Sequence, residues 1–165
     1  MKNIFLFLVV CLVTTTQLSA QGKYAGPVLK KLIGTRVTDE KNVKGLNGWK
    51  LMEGTLLGFN TEKEAIIDVY KKGTTYAVVF RFPQKDSTYR IRDILEIKNV
   101  PATQQIVVSV CRLNDKEDEE IIALVKGDVN TGWYKIYKTW RASKSKELFQ
   151  SIPVRSIKCE MQGQD

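Results

Sequence analysis

Apolar positions along this chain follow three successive rhythms, and each predicts a different element. The first is an unbroken run from Ile4 to Val13, preceded by Lys2 and followed by a polar stretch ending in Leu18-Ser19-Ala20. A short basic start, an apolar run below the roughly 20 residues that cross a bilayer, and a small-residue end form the layout of a secretory signal peptide. Residues 1–20 are therefore expected to be removed on export, leaving 21–165 as one small globular domain of the periplasm or extracellular space. Val10 stands before Cys11 where lipoprotein processing takes a small residue, which argues against a lipid anchor there. No later apolar stretch is long enough to span a membrane.

The second rhythm is helical. In "YAGPVLKKLI" (24–33), Val28, Leu29, Leu32 and Ile33 share one stripe, Pro27 suits a first helical turn and Gly34 supplies a stop. A polar loop rich in Lys, Asn and Gly follows to about Gly48.

From Trp49 onward the period is two. "WKLMEGTLLGF" (49–59) predicts a strand, and "EAIIDVYKKGTTYAVVFRFP" (64–83) a hairpin turning at Gly73 and ending at Pro83. A helix over residues 61–73 competes, because "TEKE" (61–64) has capping-box spacing; the density of β-branched residues favours the hairpin. In "STYRIRDILEIKNVP" (87–101), Tyr89, Ile91, Leu95 and Ile97 alternate with Arg90, Arg92, Glu96 and Lys98. The apolar runs "QQIVVSVC" (104–111) and "IIALVK" (121–126) read as central strands covered on both faces, with the acidic loop "NDKEDEE" between them. "WYKIYKTWRA" (133–142) and "LFQSIPVRSIKC" (148–159) complete an α+β fold. It is predominantly one antiparallel sheet of about six to eight strands with one short N-terminal helix.

Composition narrows the chemistry. The chain has no histidine, which removes Ser-His-Asp and Cys-His nucleophiles and nearly all catalytic zinc. Phosphate-loop, dinucleotide and nucleophile-elbow patterns are absent, and no cofactor is implied. Loss of Lys2 with the leader lowers the formal net charge from +8 to +7. Export turns that charge away from nucleic acid and toward a protein or an anionic envelope polymer. The two cysteines beyond the leader, Cys111 and Cys159, are expected to pair in an oxidising compartment.

Asp93 is the one weak catalytic candidate, since its place between Ile91 and Leu95 puts a carboxyl on the apolar side of a strand. A glycosidase would need a second acid, for which Glu53 and Glu96 are available. "GDVNTG" (127–132) and the acidic run lack calcium-loop spacing and read as a turn and a solvated loop, so no metal site is assigned.

The stretch "TGWYKIYKTWRASKSK" (131–146) carries the binding candidates. Strict alternation gives Tyr134, Ile136, Lys138 and Trp140 to the core face, and Trp133, Lys135, Tyr137, Thr139 and Arg141 to the other. Trp133, Lys135, Tyr137 and Arg141, with the trailing Lys144 and Lys146, form a candidate basic–aromatic strip. Residues 133–158 hold seven basic groups against Glu147 alone, while residues 111–128 hold six acids against three bases. The two regions either present a dipolar surface to a partner or complement each other within the fold.

These features point to a non-catalytic exported binding module of the envelope or extracellular space. A small carboxylate hydrolase or lyase acting on an envelope polysaccharide is the alternative, and a purely structural envelope protein the third reading.

Overall fold

A computed structural model describes residues 21–39, 43–59, 63–128 and 130–161. Residues 1–20, the expected leader with Cys11, and Thr61 and Glu62 of the capping-box alternative, lie outside the described residues. Among the described residues no helix is long and apolar enough to cross a membrane.

The helix α1 spans only Pro27–Lys30, with Pro27 in its first turn. Beyond Lys30 the bonds tighten to three-residue turns, Leu32 N–H to Leu29 C=O at 2.9 Å and Ile33 N–H to Lys30 C=O at 3.2 Å. Gly34, at φ +87°, then ends the segment. Three-residue turns align Leu29 with Leu32 and swing Val28 off the stripe. Accordingly Leu29 and Leu32 are buried and Val28 is 73% exposed.

The rest is mostly antiparallel sheet, in three parts rather than one, with twelve strands among the described residues. The first sheet holds β1 (Arg36–Val37), β2 (Lys50–Leu57), β3 (Ala65–Lys72), β4 (Thr75–Pro83) and β5 (Tyr89–Ile97), in the order β1-β5-β4-β3-β2. The second holds β6 (Gln105–Val108), β9 (Ile121–Asp128), β10 (Trp133–Ser143) and β11 (Leu148–Ile152), in the order β11-β10-β9-β6. The third joins β7 (Cys111–Leu113), β8 (Lys116–Glu117) and β12 (Ile157–Cys159). The hairpin expected over 64–83 is β3–β4, turning through Gly73-Thr74 with Gly73 at φ +58° in the first central position. Residues Ala65–Lys72 are therefore strand, not helix.

The first two sheets pack face to face as a sandwich. Val78, Phe80, Leu95 and Ile97 from one meet Ile106, Ile122, Leu124, Trp140 and Phe149 from the other. Phe80 is the hinge of this packing, with ring centroids 4.8 Å from Phe82 and 5.4 Å from Phe149. The outer face of the first sheet is covered by the N-terminal segment, through Leu29, Leu32, Val43 and Leu46. The outer face of the second is covered by the third sheet, through Cys111, Ile157 and Cys159. Residues Ile121–Val125 are thus buried on both sides, as their unbroken apolar run demands. β6 is also covered on both faces, although it is an edge strand rather than a central one.

Cys111 and Cys159 stand directly opposite each other on β7 and β12 and form a disulfide, with Cα atoms 4.0 Å apart. The acidic stretch after β7 is more ordered than a solvated loop. Asn114 and Asp115 both take positive φ, the pattern of a tight hairpin turn, and carry the chain into β8.

Strict alternation fails at three one-residue irregularities: near Met52 in β2, between Phe80 and Arg81 in the β4–β5 register, and between Ile136 and Lys138 in β10. The second inserts Arg92 as an extra residue in β5. Ile91 consequently packs outward with Ile94, while Leu95 and Ile97 face the inter-sheet core. Tyr89, Ile91, Leu95 and Ile97 therefore do not share a face.

Candidate binding surface

β9 and β10 form a hairpin whose turn is built by Asp128. Its carbonyl accepts from Thr131 N–H and Gly132 N–H, and its Oδ1 accepts from Asn130 N–H at 3.1 Å. The stretch weighed as a calcium loop is thus a turn, with its acid held by a backbone amide. One side of the hairpin tip is braced. Met161 N–H donates to Gly132 C=O at 2.9 Å, and the Met161 side chain lies against Gly127.

The other side is open. Directly opposed residues in an antiparallel pair share a face, so Lys135 and Lys126 project together, beside Trp133 opposite Asp128. These positions continue the inward face of Ile122 and Leu124, yet Lys126, Trp133 and Lys135 are exposed. The hairpin therefore runs past the end of the sandwich.

Tyr137 is the extra residue of the β10 bulge: Ile136 pairs with Val125, and the next pair is Lys138 with Leu124. One inserted residue reverses every later side chain. Lys138, expected on the buried side with Ile136, instead joins the face of Lys135, while Ile136 packs against the third sheet. Arg141 turns the opposite way and pairs with Asp118, and with Glu120 at 3.4 Å. Trp133 and Arg141 are also eight residues apart, ~26 Å along the strand at 3.3 Å per residue.

The structure therefore brings Trp133, Lys135 and Tyr137 together, adds Lys126 and Lys138, and separates them from Arg141, Lys144 and Lys146. Lys144 is bound to Glu119 at 2.8 Å. Lys146 is exposed beside the β10–β11 turn, where its backbone N–H lies 3.4 Å from Ser143 Oγ. The Lys135 ammonium lies over the Tyr137 ring, 5.7 Å from its centroid.

Acid placement explains which cations remain uncompensated. Asp115 pairs with Lys158 at 2.8 Å, Glu117 with Arg112 at 3.8 Å, Glu119 with Lys144, and Asp118 and Glu120 with Arg141. The acidic segment and much of the basic one complement each other within the fold. Burial pushes the Glu119 carboxyl up, but hydrogen bonds from Lys144 and the Gly58 backbone, with the lysine's charge, bring it below its ordinary value. Among the described residues Lys126, Lys135 and Lys138 have no ion-pair partner, and Asp128 is the acid on their face.

Asp93 is fully buried on the inter-sheet side and accepts three backbone hydrogen bonds. Oδ1 takes Gly22 N–H at 2.7 Å and Ile94 N–H at 2.9 Å; Oδ2 takes Phe149 N–H at 2.7 Å. Burial pushes its carboxyl up, and the three amides pull against that shift. Glu96 projects to the opposite face, opposite Ala77, where it accepts Gly26 N–H at 2.8 Å. Glu53 engages Thr55 Oγ1 at 3.1 Å on β2. Asp93 thus ties the N-terminal segment, β5 and β11 together. A second buried carboxylate, Asp68, is held by Arg81 through Nε at 2.5 Å and a second guanidinium nitrogen at 3.2 Å. Nothing in the sequence pattern singled out that pair beyond an acid and a base in adjacent arms of one hairpin.

No protein-family model matches the chain, and no curated protein or solved structure matches it either, so its own residues carry the functional reading.

Proposed function

We propose that this protein is an exported, non-catalytic binding module that holds an acidic polymer of the envelope or extracellular space on the open face of the β9–β10 hairpin. The observation that carries this reading is the direct opposition of Lys126 and Lys135, without an ion-pair partner among the described residues, beside the exposed rings of Trp133 and Tyr137. Like charges directly opposite in a sheet cost stability, about 0.2–1 kcal/mol, so the pair is better explained by a ligand than by the fold. A rigid strand pair presenting three cations and two rings suits a flexible polyanion, which loses entropy on contact and gains charge neutralisation. Arg141 and Lys144 are left out, because their acids already satisfy them. The buried disulfide fits an oxidising location. A catalytic role for Asp93 gains no support from its surroundings, where every acceptor lone pair direction in use points to a backbone amide.

The test is retention of the disulfide-bonded protein on a heparin column, as a generic acidic polymer, over a salt gradient. The double change Lys126→Ala and Lys135→Ala should elute at clearly lower salt with its melting temperature unchanged or slightly raised, while Lys146→Ala elutes as wild type. Equal elution of the double variant and wild type would overturn the proposal, as would retention that tracks Lys146 instead.

A further inference from the structure

The sandwich parts where β5 and β11 end. β11 is fastened to the first sheet by Phe149 N–H, which reaches Asp93, and to the N-terminal segment by Ser151 N–H, which reaches Tyr24 Oη at 3.2 Å. Two residues further the repeat falls on Pro153, which has no N–H to continue it. Past that point lies a cleft of about 510 Å³, large enough for one or two sugar rings. Its walls include Tyr24, Glu96, Lys98, Tyr137, Lys138 and Val154.

Three properties of these walls select a ligand. The Tyr137 ring is 39% exposed and is set at the cleft by the bulge that also aims Lys138 there, so a flat apolar surface stands beside a cation. Val154, 45% exposed, adds a second apolar wall. Lys138, which lacks an ion-pair partner among the described residues, is the cation on the inter-sheet face here, whereas Glu96 projects to the opposite face and is held there by Gly26 N–H and by Lys98 at 3.5 Å. A single unpaired cation suits one negative charge better than a densely charged ligand such as a polyphosphate.

We propose that this cleft seats one sugar ring bearing a single anionic substituent, a role that rests on the polymer-binding reading of the neighbouring hairpin. Tyr137 stacks on the ring's C–H face and Lys138 meets the anionic substituent. The hairpin lysines would hold the chain by charge, and the cleft would read one ring of it. A lysine ammonium is a point charge and does not choose between carboxylate and sulfate, so the substituent is defined here only as a monoanion.

The experiment is an amide chemical-shift titration of the disulfide-bonded protein with methyl glucuronide, glucose 6-sulfate and methyl glucoside. Both anionic sugars, or one of them, should shift the amides of Tyr137, Lys138, Ser151 and Lys98, and the neutral sugar should bind more weakly. Lys138→Gln should weaken the anionic sugars about threefold, as expected for an exposed charge contact, and leave the neutral one unchanged. Tyr137→Ala should weaken all three about tenfold while the melting temperature holds. Carboxylate-only or sulfate-only binding identifies the substituent. Absence of shifts at the cleft with all three sugars overturns the proposal, as does binding indifferent to Lys138→Gln. Heparin retention of the same variants separates the two ideas: retained protein without ring binding sinks the cleft alone, whereas loss of hairpin-dependent retention sinks the reading beneath it.

Discussion

Replacing Asp93 with alanine should be among the most damaging single changes to this domain, although no charged partner is lost. The substitution removes the acceptor for three backbone N–H groups at once, those of Gly22, Ile94 and Phe149. A buried donor left without an acceptor costs about 1–3 kcal/mol. Gly22 lies near the start of the described chain and can turn toward water, and a water entering the space of the carboxylate can serve one more donor. Relief of the carboxylate's own burial returns part of the loss. The net cost is then about 3 kcal/mol. For a domain of this size about 2–4 °C per kcal/mol gives a fall in melting temperature of about 6–12 °C. Asp93→Asn keeps one oxygen for two of the donors and faces the third with an NH₂ group, so it should fall between wild type and alanine. Thermal unfolding followed by circular dichroism measures both, and hydrogen exchange should show the Gly22 and Phe149 amides losing protection first. A melting temperature within about 1 °C of wild type for the alanine variant would refute the reasoning, as would an asparagine variant less stable than alanine.

Two further outcomes follow from the same groups and from the disulfide. Because burial holds the folded Asp93 carboxyl above its unfolded value, the native state binds that proton more tightly than the unfolded chain does. The stability from this group is therefore full below the unfolded value, about pH 4, and is lost as pH rises through the folded value. Wild type should lose stability relative to Asp93→Asn over that interval in denaturant titrations; a relative gain would contradict the sign. Removing the Cys111–Cys159 bridge by the double change to alanine frees a loop with a sequence separation of 48. About 4 kcal/mol should disappear from the unfolding free energy, and an intact mass showing two free thiols in exported wild-type protein would contradict the pairing.

How much of this was legible beforehand depends on which rule each element obeys. Strands whose side chains simply alternate, or are buried on both faces, announced themselves: Ala65–Lys72, Thr75–Pro83 and Ile121–Val125 needed only β-branched density and a glycine turn. Pro27 and Gly34 marked the ends of the N-terminal segment, but tight turns shortened its helix and expelled Val28. What alternation cannot contain is an inserted residue. Arg92 and Tyr137 look like any other strand residue, yet each reverses the side chains beyond it, splitting the supposed strip so that Trp133 and Arg141 face opposite ways. Plain alternation places Lys138 on the core face for the same reason. The charge imbalance between residues 111–128 and 133–158 was visible, but only tertiary proximity decides that Asp118, Glu119 and Glu120 neutralise Arg141 and Lys144. Division into three sheets likewise depends on long-range pairing that local pattern does not encode.

The fastening of β11 to its neighbour has a consequence for colloidal behaviour. A border strand ordinarily presents a row of free donors on which another chain can grow. Here two of those donors are occupied by side-chain oxygens, and the next position is proline, so the border offers little to a stranger. One of the two oxygens belongs to Tyr24, and the other to Asp93, whose second oxygen holds Gly22 N–H, which makes residues 22–24 the seal on that border. Proteolytic damage to that segment would therefore open a site for self-association before the core itself had loosened.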